Sequence, residues 1–402
     1  MSPDVSWRPV PDQVSIGAYL LFDCCAKNGM KYTSTRGGLT GVNFEQVLFS
    51  GYAPDGGLFM PEEIPSLDTA ILQTWSTYSY PRLVEEICSL FISRDDLPRE
   101  DLRDLISQAF VRFRHKDIVK LAKLKNELYV LELWHGVTFA FKDLAMSCVG
   151  QLLQYFLRKR QKHVTILVGT SGDTGSSAIE SIRGMENMDI IVLLPHGRCS
   201  PIQELQMTTV IEDNVHVFAV DGTSDELDEP IRNVFADPEF VKRHNIMSLN
   251  SINWARIMVQ IAHYFYAYFQ CSPSMQNIPL PLVELSQTFD SYTVNDDYVI
   301  VTMLRCWKEN EYLLCPHSAV AVAYHYQEMD LDTRSVPRCC LATAAAAKFP
   351  EAVLKAGLTP EIPPEIRALE TMDTRCTAMK RGEDWEKILY HKIEEVNMRR
   401  KT

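Results

Sequence analysis

The chain has 402 residues, 46% hydrophobic and 23% charged, an ordinary globular composition with room for two or three domains and a sizeable core. Its formal charge of -12 argues against a nucleic-acid or anionic-membrane surface, which needs clustered Lys and Arg, while leaving space for a local cationic pocket that takes a small anion. Eleven cysteines, an odd number with no C-x-x-C pair, read as reduced thiols, and ten histidines without metal-ligand spacing argue against zinc.

Taken in order, residues 1–29 read as an N-terminal extension. Met1–Val14 carries a single arginine and Ile16–Phe22 is a brief apolar run, a poor match to a signal peptide, and no later stretch is long enough to span a membrane. A cytoplasmic location is expected, with export by a route that needs no signal peptide as the alternative. Residues 30–125 carry a Pro54-Asp55-Gly56-Gly57 turn and amphipathic helices over Trp75–Ile92 and Arg99–Phe113. A short strand, Tyr129–Leu133, leads to a helix over Leu144–Arg160 with a stripe at Ala145, Val149, Leu152, Leu153 and Phe156.

Strands at Val164–Val168, Ile190–Leu194 and Val215–Val220 then alternate with helices at Ser176–Ile182, Pro201–Val210 and Ser224–Phe235. This βαβα order predicts an α/β fold with a parallel sheet and helices on its faces. A helix over Ala255–Phe269 and a strand at Leu280–Glu284 complete the region 126–284. Residues 285–402 make a C-terminal part, with a helix over Asn295–Lys308, a strand at Arg338–Leu341 and a helix over Ala344–Ala356.

Four places carry chemistry. Lys142 sits among apolar and aromatic neighbours where a strand gives way to a helix; desolvation there frees a neutral amine, although a helix-start lysine can also simply cover the core with its stem. Gly169-Thr170-Ser171-Gly172-Asp173-Thr174-Gly175 is a glycine-bearing strand-to-helix turn, an anion site in form or merely a tight connection, and it fits neither the Walker nor the Rossmann spacing. Asn250-Ser251-Ile252-Asn253-Trp254-x-Arg256 reads as a helix N-cap with a first-turn arginine. Cys315–Val320 and Leu341–Phe349 place His317 at a helix start and Thr343 at a strand–helix junction, where Thr343 is by itself an N-cap.

The string His135-Gly136-x-Thr138-x-Ala140-Phe141-Lys142-Asp143 resembles the cofactor-lysine motif of the threonine synthases, pyridoxal-phosphate (PLP) enzymes of the tryptophan-synthase β fold type. The stretches Met30–Gly37, Phe49–Pro61, Thr170–Gly175, Asn250–Arg256, Cys315–Val320 and Leu341–Phe349 resemble the same family. The resemblance implies that Lys142 holds PLP, that Asp173 faces its phenolic oxygen and that Thr343 contacts its ring nitrogen. It further implies that Ser171, Gly172 and Thr174 hold the substrate α-carboxylate, and that Asn250, Ser251 and Arg256 hold the substrate phosphate, bordered by Thr170 and Thr174.

The implied function is a PLP-dependent phospho-lyase that converts O-phosphothreonine or O-phosphohomoserine to 2-oxobutanoate, ammonia and phosphate. Threonine synthesis is one alternative, and a non-catalytic relative acting through protein contact, even outside the cell, is another. The partner implied is a small phosphorylated amino acid, with a homodimer left open.

One family feature is missing. The family holds the cofactor phosphate in a Gly-rich loop after a late buried strand, because converging backbone N–H groups need glycines. Here no glycine lies between Gly222 and Gly357. An internal deletion between about Glu284 and Asp296 is the expectation, leaving the large domain incomplete and its cofactor weakly held.

Overall fold

A computed structural model describes residues 29–271, 291–331 and 337–400. The extension at 1–28, the strand expected at Leu280–Glu284 and the start of the segment after it lie outside the described residues. The N-terminal region opens with a small antiparallel pair, β1 (Tyr32–Ser34) and β2 (Phe59–Pro61). Helices follow at Thr69–Trp75, Tyr80–Phe91 and Arg99–Phe110. The helix expected over Trp75–Ile92 starts only at Tyr80: Trp75 ends the preceding helix, the chain turns at Ser76–Ser79, and Pro81 in the first turn of the later helix prevents a continuous run.

β3 (Lys120–Lys123) and β4 (Leu128–Glu132) pair antiparallel, and the helix Lys142–Arg160 follows β4. Next come β5 (Val164–Gly169), β6 (Met188–Pro195), β7 (Val215–Val220) and β8 (Ile246–Met247), joined by helices at Asp173–Ile182, Pro201–Thr208, Ser224–Ala236 and Pro238–His244. The helix Trp254–Cys271 precedes the undescribed stretch; after it come helices Asp296–Asn310 and Pro316–Leu331, then β9 (Arg338–Ala342), β10 (Thr377–Met379) and a last helix, Trp385–Arg399. The helix expected over Ala344–Ala356 is broken into a 3-10 turn, Ala346–Lys348, and a short helix, Pro350–Lys355, because Pro350 lacks the N–H to continue the first.

Two sheets organise the molecule. The larger has the order β10-β7-β6-β5-β8, with every neighbouring pair parallel, as the βαβα alternation predicts. β6 is buried along its whole length, which suits a central strand covered on both faces. The smaller sheet is β3-β4-β9, in which β9 runs parallel to β4. Among the described residues no strand pairs with the outer edge of β9.

The helix Lys142–Arg160 is the spine of the main core. Leu144, Val149, Leu152, Leu153 and Phe156 are buried in one cluster with Ile166 and Val168 of β5 and Ala255, Met258 and Val259 of the helix Trp254–Cys271. A second cluster joins β4 and β9 to the late helices through Val130, Cys340, Met303 and Val322. The site lies where these two bodies meet, at the carboxyl ends of β4, β5 and β9, the usual place for ligands in open parallel sheets.

Candidate active site

The chain between β4 and its helix is built to hold Lys142 still. Thr138, Phe139, Ala140 and Phe141 form a turn that pairs with the segment after β9: the Phe141 N–H donates to the Thr343 carbonyl at 2.8 Å, and the Ala345 N–H donates to the Phe139 carbonyl at 3.1 Å. Phe139 takes a positive φ of 59°, a conformation a bulky residue adopts only when its surroundings fix it, and the Arg114 guanidinium lies over its ring at 4.1 Å. Asp143 stabilises the same turn from inside. Its carboxylate accepts from the Thr138 N–H, the Thr138 hydroxyl and the Ser177 hydroxyl, each at 2.7 Å. Gly136 is needed there, since a Cβ would stand 2.4 Å from the Asp143 Cβ.

Lys142 is the first residue of its helix, half-buried, with its ammonium 5.1 Å from the centre of the Phe141 ring. Burial lowers its pKa. Asp173 opposes that shift, and the positive charges of Arg256 and Lys348 add to it. The amine is thus biased toward the neutral, nucleophilic form, which is the chemistry expected of it.

The turn from β5 delivers Asp173. Gly172 has φ 147°, outside the range of other residues, and a Cβ there would lie 2.5 Å from the Gln203 amide. The Thr170 hydroxyl is engaged within this turn, accepting from the Gly172 and Gly175 N–H groups at 3.0 and 2.9 Å and donating to the Gly172 carbonyl at 3.1 Å. Thr170 therefore shapes the loop from beneath, while Ser171 is exposed and Thr174 half-exposed at its rim. Asp173 accepts from Gln203 at 2.8 Å and pairs with Lys348 at 2.6 Å. Burial alone would raise its pKa; the charge and hydrogen bond of Lys348, then Lys142 and Gln203, bring it below its ordinary value.

Arg256 enters from the first turn of the helix Trp254–Cys271. It is 2% exposed, and its Nε and Nη1 have no protein partner. Burial pushes its pKa down to about 10, so it stays charged at neutral pH. A buried guanidinium with two unanswered donors calls for an oxyanion partner. Asn250 and Ser251 stand just before it, half-buried and exposed respectively. Asn253 is fully buried and fixes this corner instead of binding: its amide donates to the Leu48 and Ser50 carbonyls at 2.9 and 3.1 Å. Thr343 is half-buried, and its N–H donates to the Ser318 hydroxyl at 3.2 Å.

The charges of Asp173, Arg256 and Lys348 all act on the Lys142 amine, and those of Asp173, Lys142 and Lys348 act on His317. Lys348 is the residue to which sequence reasoning gave no role. It is fully buried, and its one sequence signal is a lysine inside the apolar run Ala344–Phe349.

PLP fits the lysine end of this site: a desolvated amine, an ionised Asp173 and a small polar Thr343 are the groups its ring and carbonyl require. Its phosphate finds no glycine nest, since no glycine lies between Gly222 and Gly357. No group of His, Cys, Asp and Glu among the described residues is arranged to hold a metal ion.

Comparison with known proteins gives the family and the fold. The family model described as the threonine synthase N terminus matches residues 31–110, and that of the threonine synthase C-terminal region matches residues 318–390. A Xenopus laevis protein named threonine synthase-like 2 is 52% identical over 471 aligned positions, covering 92% of this chain and 100% of its own length; the Homo sapiens protein of that name is 51% identical, covering 92% and 98%. Ninety-two per cent of 402 residues is about 370, so roughly 100 of the 471 aligned positions have no counterpart inside this chain.

Among solved structures, threonine synthase from yeast superimposes with a TM-score of 0.82 at 28% identity, covering 93% of this chain and 100% of that one. The PLP-bound threonine synthase from Brucella melitensis gives 0.79 at 26%, covering 91% and 99%. The fold is that of the type II PLP enzymes, and the chain belongs to the threonine synthase family.

Proposed function

We propose that this chain is a PLP-dependent phospho-lyase that acts on O-phosphothreonine or O-phosphohomoserine and yields 2-oxobutanoate, ammonia and phosphate. The observation that carries the reading is Arg256: a buried cation with unanswered Nε and Nη1 donors, close enough to Lys142 to depress its pKa. A phosphate ester hydrogen-bonded there has its leaving group stabilised as negative charge develops on it.

PLP, when bound, supplies a carbonyl for the substrate amine and a ring that accepts electrons from the broken Cα–H bond. Lys142, desolvated and inclined to be neutral, removes the α proton as general base. The N–H groups at the start of the helix Asp173–Ile182, with Ser171 and Thr174 at its rim, hold the carboxylate. Asp173, kept ionised by Lys348 and Gln203, would meet the ring's phenolic oxygen, and the neutral Thr343 hydroxyl would meet its nitrogen. Asn250 and Ser251 close the phosphate pocket beside Arg256.

Threonine synthesis is the second reading, supported by matches to enzymes named threonine synthase, such as one from Schizosaccharomyces pombe that is 44% identical over 60% of this chain and 48% of its own length. The two separate in one assay of purified protein with PLP. Phosphate and 2-oxobutanoate from O-phosphothreonine support the lyase; threonine from O-phosphohomoserine supports the synthase. Neither product, with no PLP bound, would favour a non-catalytic relative.

A further inference from the structure

Lys348 is a fully buried ammonium whose hydrogen bonds tie together three separate parts of the chain. From the 3-10 turn after Thr343 it donates to the Thr138 carbonyl at 2.8 Å, four residues before Lys142, and pairs with Asp173 Oδ1 at 2.6 Å, at the start of the substrate loop. Two glutamines on one face of the helix Pro201–Thr208 answer the same acceptors. Gln206 donates to the Thr138 carbonyl at 3.1 Å, and Gln203 donates to Asp173 Oδ1 at 2.8 Å. One carbonyl and one carboxylate oxygen are thus each held by Lys348 and a glutamine. A charge buried this deeply survives only with such partners.

We propose that Lys348 is the positioning residue of the active site: it locks the Lys142 turn, the Asp173 loop and the Thr343 segment in register, and it balances the Asp173 charge so that the Lys142 amine is left without a salt-bridge partner of its own. This rests on the reading that Lys142 is the reacting amine. The alternative arrangement is easy to picture. Without the Lys348 ammonium, Asp173, the carboxylate that acts most strongly on Lys142, would pair with it, leaving a protonated lysine that can neither attack a carbonyl nor remove a proton.

The charged and titratable groups that act on Lys142 are Asp173 and Asp143 on the acidic side, Arg256 and Lys348 on the basic side, and His317 from the helix Pro316–Leu331. Asp143 is already hydrogen-bonded by Thr138 and Ser177, and the carboxylate that Lys348 pairs with directly is Asp173.

The test uses full-length protein without cofactor and reads the protonation of Lys142 directly. Trace acetic anhydride acetylates only neutral amines, so the pH dependence of Lys142 acetylation, mapped by mass spectrometry against the exposed Lys308, gives its pH of half-labelling. Lys348→Gln keeps a hydrogen-bond donor but removes the charge, and should move that pH upward by about one unit or more. Lys348→Arg keeps the charge and should stay near the original profile. Asp173→Asn removes the opposing carboxylate and should move it downward.

A folded Lys348→Gln chain with an unmoved profile, or an arginine variant shifted as far as the glutamine one, would overturn the proposal. If Lys348→Gln does not fold, the same change made in the Asp173→Asn chain, where no buried carboxylate is left unpaired, decides: an upward shift relative to Asp173→Asn supports the proposal, and no shift overturns it. The unsubstituted chain offers a further check, because the fully buried Lys348 should acetylate far more slowly than the exposed Lys308; free labelling of Lys348 would also overturn it. These readouts need no bound PLP, so a failure of the lyase assay leaves them standing.

Discussion

The Phe141 N–H donates to the Thr343 carbonyl at 2.8 Å, and through that bond two segments about two hundred residues apart become neighbours in one site. Lys142 follows Phe141 directly, so the residue expected to carry the cofactor and the residue expected to meet its ring nitrogen are positioned by the same backbone pairing. The small sheet extends this contact, since β4 and β9 run parallel from Leu128–Arg338 to Glu132–Ala342.

Arg256 should discriminate by phosphate. Arg256→Leu is expected to cost on the order of 2–4 kcal/mol in kcat/KM for O-phosphothreonine, because the cation is desolvated and its Nε and Nη1 lack protein partners. Kinetics on an analogue without phosphate should change little. Equal losses on both substrates would make Arg256 a structural residue.

Asp143 should matter for stability more than for chemistry. Asp143→Ala leaves the Thr138 N–H and the Thr138 and Ser177 hydroxyls without their acceptor in a buried place, and the expected loss is about 2–4 kcal/mol in urea unfolding. An unchanged unfolding midpoint would show that the turn before Lys142 is held by other contacts.

At the far end of the large sheet, Asp189 holds the C-terminal segment. It accepts from His163 at 2.6 Å and from Arg400 at 2.9 and 3.2 Å, with His216 at 3.8 Å. Burial would raise its pKa, but these partners outweigh burial and hold it well below its ordinary value of 3.8. A carboxylate with a depressed folded pKa contributes stability above its unfolded pKa and loses it as pH falls toward the folded one. The melting temperature should therefore drop as pH falls below about 4, and Asp189→Asn should be less stable at neutral pH and flatter in acid. Parallel melting curves for the two chains would contradict this.

Cofactor affinity should be low. A glycine nest normally gives the PLP phosphate several charge-assisted hydrogen bonds of about 1.5–3 kcal/mol each, and losing two of them weakens binding by roughly two to four orders of magnitude. A spectroscopic titration against a relative that retains the roughly 100 unmatched positions should show that difference. Equal affinities would mean that other donors serve the phosphate.

Much of this site was legible in the sequence because its strongest signals are local. The stripe through Ala145, Val149, Leu152 and Phe156 marks the helix behind Lys142, and the Gly172 turn between β5 and its helix declares an anion-type loop. What was not legible depends on contacts between distant segments. Lys348 has an unremarkable neighbourhood in sequence, and its role depends on Thr138 and Asp173, 210 residues away for the former. Arg256 read alone is a first-turn arginine; only burial without partners distinguishes it. The expected helix over Ala344–Ala356 failed for a local reason, Pro350, which the alanine tract obscured.

The central claim is that Lys142 is the amine that meets the cofactor. Purified chain should be given less than one equivalent of PLP, reduced with borohydride and mapped by peptide mass spectrometry. The account predicts a pyridoxyl group on Lys142, lost in Lys142→Ala without transfer to another lysine. A label on Lys348, or one spread over exposed lysines with Lys142 unmodified, would contradict it.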